Sequence, residues 1–503
     1  MKFIIANKLL PYKRELELTF KLFKKEDDEL LYKDISINKG FAPPNEIYID
    51  LDYRIEHEQG KVIVDGKATV SDKELCFSKE KNVGTTEKET NINLKKAISY
   101  VWLKLLEEIT DEKHDWGILT GIRPTKLYHK LFRDGGHEYA INYLREEALL
   151  KNNKISLLMD IVERQLKVIP DLYDLGNEIS LYIGVPFCPT KCAYCTFPAY
   201  GINYFNNTVD PFLRSLLREI ELIGNWLKES KIKITTIYFG GGTPTSIEAE
   251  QLDVLFKELA KWIDLDQVRE ITVEAGRPDT ITSDKLDVLT KWNVDRISIN
   301  PQTFTQETLN IIGRDHSVTE VIDKFKLARQ YDFKNINMDL IIGLPGEDLN
   351  NLKLSLDHLS ELQPDSMTIH TMAFKRASYL TQNKEEFIIT EPEEIKQMMD
   401  YSFKWAEEYN YYPYYLYRQK NMLGNLENIG YAKIGKESLY NILIMEEKQP
   451  IIGLGSGAVS KLVHPKTGII QPLPNPKEPN TYVNKAEAVA LKKIELLNEI
   501  FKN

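Results

Sequence analysis

Three of the four cysteines of this 503-residue chain lie within eight residues, in Cys188-Pro-Thr-Lys-Cys192-Ala-Tyr-Cys195; the fourth, Cys76, is remote in sequence. Clustered thiolates bind soft metals and iron–sulfur clusters. A structural zinc takes four protein ligands, and an electron-transfer cubane takes four cysteines. Three cysteines leave one metal position open, and an open position is where a reacting molecule binds. A zinc site would need a fourth ligand, for which His316 and His370 are candidates. A second chemical signal is Gly240-Gly241-Gly242-Thr243-Pro244-Thr245. Its glycines let the backbone approach a ligand and turn main-chain donors and acceptors toward it. The run lacks the spacing and the lysine of a P-loop, so it does not imply nucleotide phosphates.

These signals sit on a repeating pattern. From about residue 178, short apolar strands alternate with amphipathic helices: strands at 179–185, 234–239, 270–274, 296–300, 335–342 and 366–371, helices at 211–228, 249–263, 283–292, 318–331 and 349–362. Strict alternation predicts a parallel α/β sheet. Six βα-type units are fewer than the eight of a closed barrel, so the expected architecture is a partial (βα)6 barrel. Such sheets bind ligands at the carboxyl ends of their strands. The cysteine loop follows the first strand and the glycine loop the second. Glu274 ends the third, Gln302 follows the fourth, Asp339 lies on the fifth and Ala373 follows the sixth. Asp339 stands inside an apolar strand, where an unpartnered carboxylate is costly.

Around this core the expected organisation is an α+β N-terminal extension (1–170), the core (171–390) and a mainly helical C-terminal, substrate-side region (391–503). In the first segment, 15–20 and 47–51 alternate with period two and predict strands. Helices are expected near 94–109 and over 138–168, closed by Pro170. Beyond about 390 the pattern turns helical, then loop-rich and aromatic, with Tyr411, Tyr412, Tyr414, Tyr415 and Tyr417 close together. The chain is 42% hydrophobic and carries a formal charge of −10. That is ordinary for a globular enzyme and argues against nucleic-acid binding driven by bulk charge. No apolar run is long enough to span a membrane, and no leader segment is evident. A reducing, cytoplasmic setting is expected from the cysteine usage.

The three-cysteine loop, with Tyr194 before its last cysteine and GGGTPT after it, resembles the signature of the radical S-adenosylmethionine superfamily. Within it, the chain resembles the oxygen-independent coproporphyrinogen III oxidase group, which also contains haem chaperones and anaerobic haem-opening enzymes, and most of all the HemZ-type subgroup (coproporphyrinogen dehydrogenases). The residues that carry this are 182–188, 240–245, 301–304, Arg314, 338–345, 415–422 and 453–458. The resemblance implies that Cys188, Cys192 and Cys195 hold a [4Fe–4S] cluster whose open iron binds S-adenosylmethionine. It implies that Tyr182 packs near the cluster and that Gly241, Gly242 and Thr243 meet the cofactor's methionyl part. Glu274, Gln302, Arg314 and Asp339 would hold its polar groups, while Ala373 and the loop 455–458 would line the adenine or substrate side. It further implies an oxidoreductase with a tetrapyrrole substrate and an electron donor such as flavodoxin or ferredoxin. For an acidic tetrapyrrole, Lys375, Arg376, Arg418 and Lys420 are the candidate contacts. Two positions depart from the group. Phe197 stands where a further cysteine is usual, and Gly184 where a histidine is usual. A haem-binding or haem-transfer role, or radical chemistry on another substrate, is the alternative.

Overall fold

A computed structural model describes residues 1–25, 27–33, 43–121, 123–375, 377–419, 422–465 and 467–501. Two of the candidate contacts, Arg376 and Lys420, lie outside the described residues. The chain divides into two units, Met1–Met159 and Asp160–Asn503. Among the described residues, no helix is long and apolar enough to cross a membrane.

The first unit is a five-stranded sheet with helices on one face. Strands β1 (Lys2–Ala6), β2 (Glu29–Lys33), β3 (Glu46–Glu56), β4 (Lys61–Val70) and β5 (Lys73–Asn82) pair in the order β2-β1-β3-β4-β5. Helices α1 (Lys13–Phe23) and α2 (Glu87–Thr110) share a core with the sheet. The stretch 15–20, expected as a strand, lies in α1. Leu16, Phe20 and Phe23 follow the helical i, i+4, i+7 rule and are all buried. The Trp102 indole of α2 donates to Leu16 O at 3.0 Å. The apparent alternation Glu-Leu-Glu-Leu reflects a window too short to separate the two periods. Helix α3 (Pro124–Asn142) starts at a proline, where the missing N–H is harmless, and α4 (Asn152–Val168) follows.

The second unit carries the repeat. Strands β6 (Glu178–Val185), β7 (Lys233–Gly241), β8 (Glu270–Glu274), β9 (Arg296–Ser298), β10 (Asn335–Ile342) and β11 (Ser366–Thr371) are parallel and ordered as in the sequence. Between them run α5 (Asn206–Ser230), α6 (Ala249–Trp262), α7 (Ser283–Lys291), α8 (Val318–Arg329) and α9 (Leu349–Leu362). The C-terminal segment contributes α10 (Pro392–Glu408), β12 (Tyr412–Tyr417), β13 (Asn428–Ala432), α11 (Leu439–Glu446), β14 (Ile451–Gly455), β15 (Val459–Val463), β16 (Ile470–Pro474) and α12 (Pro479–Phe501). Its five strands extend both edges of the same sheet, giving β12-β13-β11-β10-β9-β8-β7-β6-β14-β15-β16. The aromatic run, expected as a loop, is strand β12, bulged between Pro413 and Tyr415. Aromatic side chains suit a pleated, half-buried surface.

One pattern governs where the chemistry sits. On the six parallel strands, one face is apolar and packs under the helices: Leu181 and Ile183, Ile237 and Phe239, Ile271 and Val273, Ile297, Met338 and Leu340, Met367 and Ile369 are buried. The other face is polar. Register aligns Ser180 with Thr236, Tyr182 with Tyr238 and Gly184 with Gly240. It continues with Thr272 beside Arg296 and Glu274 beside Ser298, Ser298 beside Asn337 and Asp339 beside Thr368. Successive side chains of a strand point to opposite faces, so this register stacks the polar residues toward one interior.

Candidate active site

The polar face lines a cavity of about 540 Å³. Tyr182, Cys188, Cys192, Cys195, Gly241, Gly242, Thr243, Glu274, Gln302, Arg314, Asp339, Ala373 and Lys375 all line it, as do Ser456 and Gly457. Arg418 does not. Period two beyond β12 turns Tyr415, Tyr417 and Gln419 to the cavity and Arg418 away from it, where its guanidinium donates to Asn425 O at 3.1 Å and Oδ1 at 2.6 Å. As a substrate contact Arg418 is therefore corrected to a buried residue behind the wall.

The cysteine loop is fastened at several points. Phe187–Cys188 forms a short strand pair with Tyr200–Gly201. Cys195 N donates to Cys192 O at 3.1 Å, and Ala193 N to Ile312 O at 2.9 Å. Arg277, paired with Asp279 at 3.0 Å, reaches Thr190 Oγ1 at 2.9 Å between the first two cysteines. Thr190 Oγ1 in turn donates to Gly313 O at 2.9 Å. Arg314 is held to the scaffold through both terminal nitrogens, while its buried Nε has no hydrogen-bond partner. It donates to Tyr194 OH at 3.2 Å and to Gly276 O and Asn300 O at 2.7 Å each. Its place is the back of the cysteine loop, where its charge faces Cys192.

The glycine loop packs directly on that loop. Gly242 N donates to Val185 O at 2.8 Å and Thr243 N to Phe187 O at 2.7 Å. Gly241 has φ +112°, and a Cβ on Gly242 would stand 2.5 Å from Phe187 O, so the two positions need glycine for conformation and for space. Thr243 Oγ1 lies 3.4 Å from Cys188 Sγ. The buried Lys285 ammonium caps the far side through Thr245 O at 2.8 Å.

The carboxylates differ in state. Burial pushes Glu274 up to about 7, against the hydrogen bond from Tyr238 and with repulsion from Asp339 adding to it; the Tyr238 hydroxyl lies 2.6 Å away. Asp339 is also buried, but His370, Asn337 and Thr368 outweigh that burial and hold it below the usual carboxylate range. Asn337 Nδ2 stands 2.7 Å from its Oδ1, and His370 Nε2 3.6 Å from its Oδ2. Gln302 adopts φ +68°, a strained choice for a non-glycine residue. Hydrogen bonds to β10 hold it there: Gln302 N to Asp339 O and Ile341 N to Gln302 O, both 2.9 Å.

The residues fit an iron–sulfur cluster better than one metal ion. All three thiols face one cavity, and burial, with the other two cysteines nearby, pushes Cys188 up to about 12; metal ligation would offset that cost of ionisation. Among the described residues, no three His, Cys, Asp or Glu side chains converge on one ion, and a cubane takes one thiolate per iron. The proposed zinc partners are elsewhere engaged or placed. His370 sits between Asp339 and the Tyr417 hydroxyl, 3.3 Å from its Nδ1, and His316 is not among the cavity-lining residues.

The motifs left several wall residues unmarked: Tyr238, Arg296, Asn337, Tyr440 and Lys461. For those on the parallel strands, the available signal was the polar residue at every second position in an otherwise apolar strand.

Comparison with known proteins accords with this geometry. The radical SAM superfamily model matches residues 182–359. The chain is 49% identical over 474 residues to the oxygen-independent coproporphyrinogen-III oxidase-like protein HemZ of Bacillus subtilis, covering 94% of each chain. It is 32% identical over 285 residues to the heme chaperone HemW of the same organism, covering 56% of this chain and 70% of that one. Among solved structures, coproporphyrinogen III oxidase (HemN) from Escherichia coli, a radical SAM enzyme, matches with a TM-score of 0.51 at 20% identity, over 65% of this chain and 72% of that one, and so supports the fold. With an identity this high over nearly its whole length, the chain belongs to the radical SAM superfamily and, within it, to the coproporphyrinogen-III oxidase-like HemZ family.

Proposed function

We propose that this protein is a radical S-adenosylmethionine oxidoreductase acting on a tetrapyrrole. The reaction we assign is oxidative decarboxylation of coproporphyrinogen III propionates to vinyl groups, giving protoporphyrinogen IX in anaerobic haem synthesis. The observation that carries this is the single cavity shared by the three cysteines, the Glu274–Asp339–Gln302 wall, and Lys375 with Tyr415 and Tyr417.

In this reading Cys188, Cys192 and Cys195 hold a [4Fe–4S] cluster, and the backbone at Gly241, Gly242 and Thr243 receives the methionyl part of S-adenosylmethionine. Bound there together, and given an electron by a flavodoxin or ferredoxin, the two would supply the hydrogen-abstracting chemistry that a propionate requires. Asp339, held ionised, suits ribose hydroxyls. Glu274, near neutrality, offers a proton to a neighbouring oxygen. Arg314 fixes the loop that presents the cluster, and Ala373 leaves space at the end of β11. Tyr415 and Tyr417 give a flat apolar wall for a macrocycle, with Lys375 at its edge for a carboxylate. Per vinyl group formed, the propionate loses one hydrogen atom, one CO2 and one electron, and the electron must return to an acceptor.

The test is anaerobic incubation of the cluster-reconstituted protein with coproporphyrinogen III, S-adenosylmethionine and reductant. We expect 5′-deoxyadenosine and vinyl-bearing product to rise together. Cofactor cleavage without vinyl product would overturn the substrate and leave the superfamily standing. The likeness to a heme chaperone favours one second reading, haem binding and transfer. It predicts stoichiometric haem capture with no substrate-dependent cofactor cleavage in the same assay.

A further inference from the structure

We propose that Arg296 and Tyr440 form a carboxylate-binding subsite in the wall of the cavity, which receives an acidic side chain of the substrate. The proposal rests on the tetrapyrrole reading and names the groups that would select its propionates.

Arg296 opens β9 and lines the cavity, yet it is only 2% exposed. Its Nη1 is fixed by Asn335 Oδ1 at 2.9 Å and by Ser366 Oγ, so the planar fork is held in one orientation. Its Nε is buried with no hydrogen-bond partner. The nearby acids do not pair with it. Glu270, the carboxylate that acts on it most directly, accepts from Ser438 Oγ at 3.0 Å, Leu439 N at 2.8 Å and Tyr440 N at 3.1 Å, and so serves the N-terminus of α11. Glu274 accepts from the Tyr238 hydroxyl.

A buried guanidinium with an idle donor and no directly bonded carboxylate is costly by itself. A ligand carboxylate offsets that cost, and the fork of Arg matches it in geometry. A second cavity-lining residue points to the same ligand. The Tyr440 hydroxyl is also buried without a partner, while its ring is fixed by stacking on Tyr238 at 4.3 Å and Tyr182 at 6.2 Å. Both residues line the same cavity, and each keeps a held donor without a partner. In the proposed function the open iron of the cluster would take the cofactor's own carboxylate, leaving this place to the substrate.

The test uses cluster-loaded protein under anaerobic conditions and two fluorescent probes, coproporphyrin III and its tetramethyl ester. In the wild type, the free acid should bind at least tenfold more tightly than the ester. Arg296→Gln should weaken the acid by 10- to 100-fold and leave ester binding and iron content unchanged. Tyr440→Phe should weaken the acid several-fold. Equal losses for acid and ester, or no loss with either variant, overturn the subsite and assign Arg296 a purely structural role. If Arg296→Gln does not fold, the wild-type acid/ester ratio and Tyr440→Phe still decide. A wild type that binds both probes equally overturns the subsite alone. One that binds neither overturns the tetrapyrrole reading and the subsite with it.

Discussion

At the scale of single residues, two carboxyl groups on one cavity wall behave differently because their surroundings differ. Asp339 has hydrogen-bonding neighbours that favour its charge, whereas burial dominates at Glu274 and carries it up to about 7. The stability consequence has a definite sign. A carboxyl whose folded pKa lies above its ordinary 4.5 holds its proton more tightly in the folded state. It therefore withdraws stability as pH rises from about 4.5 to about 7, and the loss is complete above that window. Glu274→Gln should raise the thermal midpoint of the metal-free protein at pH 8 more than at pH 4.5. Equal shifts at the two pH values would contradict the assignment. Glu347, also pushed to about 7 by burial, leaves the variant with some slope of the same sign. A second residue-scale prediction concerns Arg277, whose hydrogen bonds to Thr190 brace the cysteine loop. Arg277→Gln should lower iron retained per chain after gel filtration, with S-adenosylmethionine cleavage falling in proportion to iron. Unchanged iron content would remove Arg277 from this role. The cysteines and glycines were legible in the sequence because their spacing is local. Arg277, Arg296 and Tyr440 were not, because what makes them informative is which group each lacks or reaches in three dimensions.

At the scale of elements, the six parallel strands were readable because each is a short apolar run bounded by an amphipathic helix; β8, β10 and β11 match their expected limits. The strands of the C-terminal segment were not readable, because a strand that pairs with a partner far along the chain has no local signature. Strand β14 pairs with β6, and this contact explains a departure from the wider group. A Cβ on Gly184 would lie 3.0 Å from Ser456 O and 3.4 Å from Ala458 Cβ, while one on Gly455 would lie 2.2 Å from Gly184 O. A side chain at 184 would therefore press on the 456–458 loop while β14 closes against β6. Gly455 also has φ +87°, so Gly455→Ala combines conformational strain of about 1–3 kcal/mol with a backbone clash. It should lower the thermal midpoint and weaken S-adenosylmethionine binding together. The adjoining helix is pinned by a buried pair: Lys493 Nζ lies 2.5 Å from Glu219 Oε1, both fully buried. Glu219 also accepts from Gly455 N at 2.8 Å and Tyr482 OH at 2.6 Å. Removing one partner of such a pair costs about 3–5 kcal/mol. Lys493→Met should make α12 susceptible to limited proteolysis at temperatures where the wild type resists, and resistance equal to wild type would refute the pinning role.

At the scale of the whole molecule, the change of texture near residue 178 was visible because a repeat begins there, but the layout of the first unit was not. That unit has its own core, in which Phe3, Leu16, Ile49, Val64, Val101 and Trp102 are buried together. Its sheet is covered by α1 and α2 on one face. The strands also carry ion pairs, Arg54–Asp65 at 2.5 Å, Lys61–Glu80 at 2.8 Å and Lys67–Glu74 at 2.9 Å, which suit a face left to solvent. A sheet with one buried and one polar face, closed by helices through its own hydrophobic residues, has what an independent folding unit needs. The division of the chain after Met159 falls inside α4, so a cut before Asn152 keeps that helix whole. A fragment of residues 1–151 should therefore be soluble and unfold in one cooperative transition, with mixed helix and strand signal in circular dichroism. The complementary fragment, 152–503, retains every cavity-lining residue and should still bind iron and S-adenosylmethionine. If the small fragment shows no cooperative transition, the first unit is not an independent domain. If the large one loses iron binding while remaining folded, the first unit contributes to the cluster site in a way its own residues do not show.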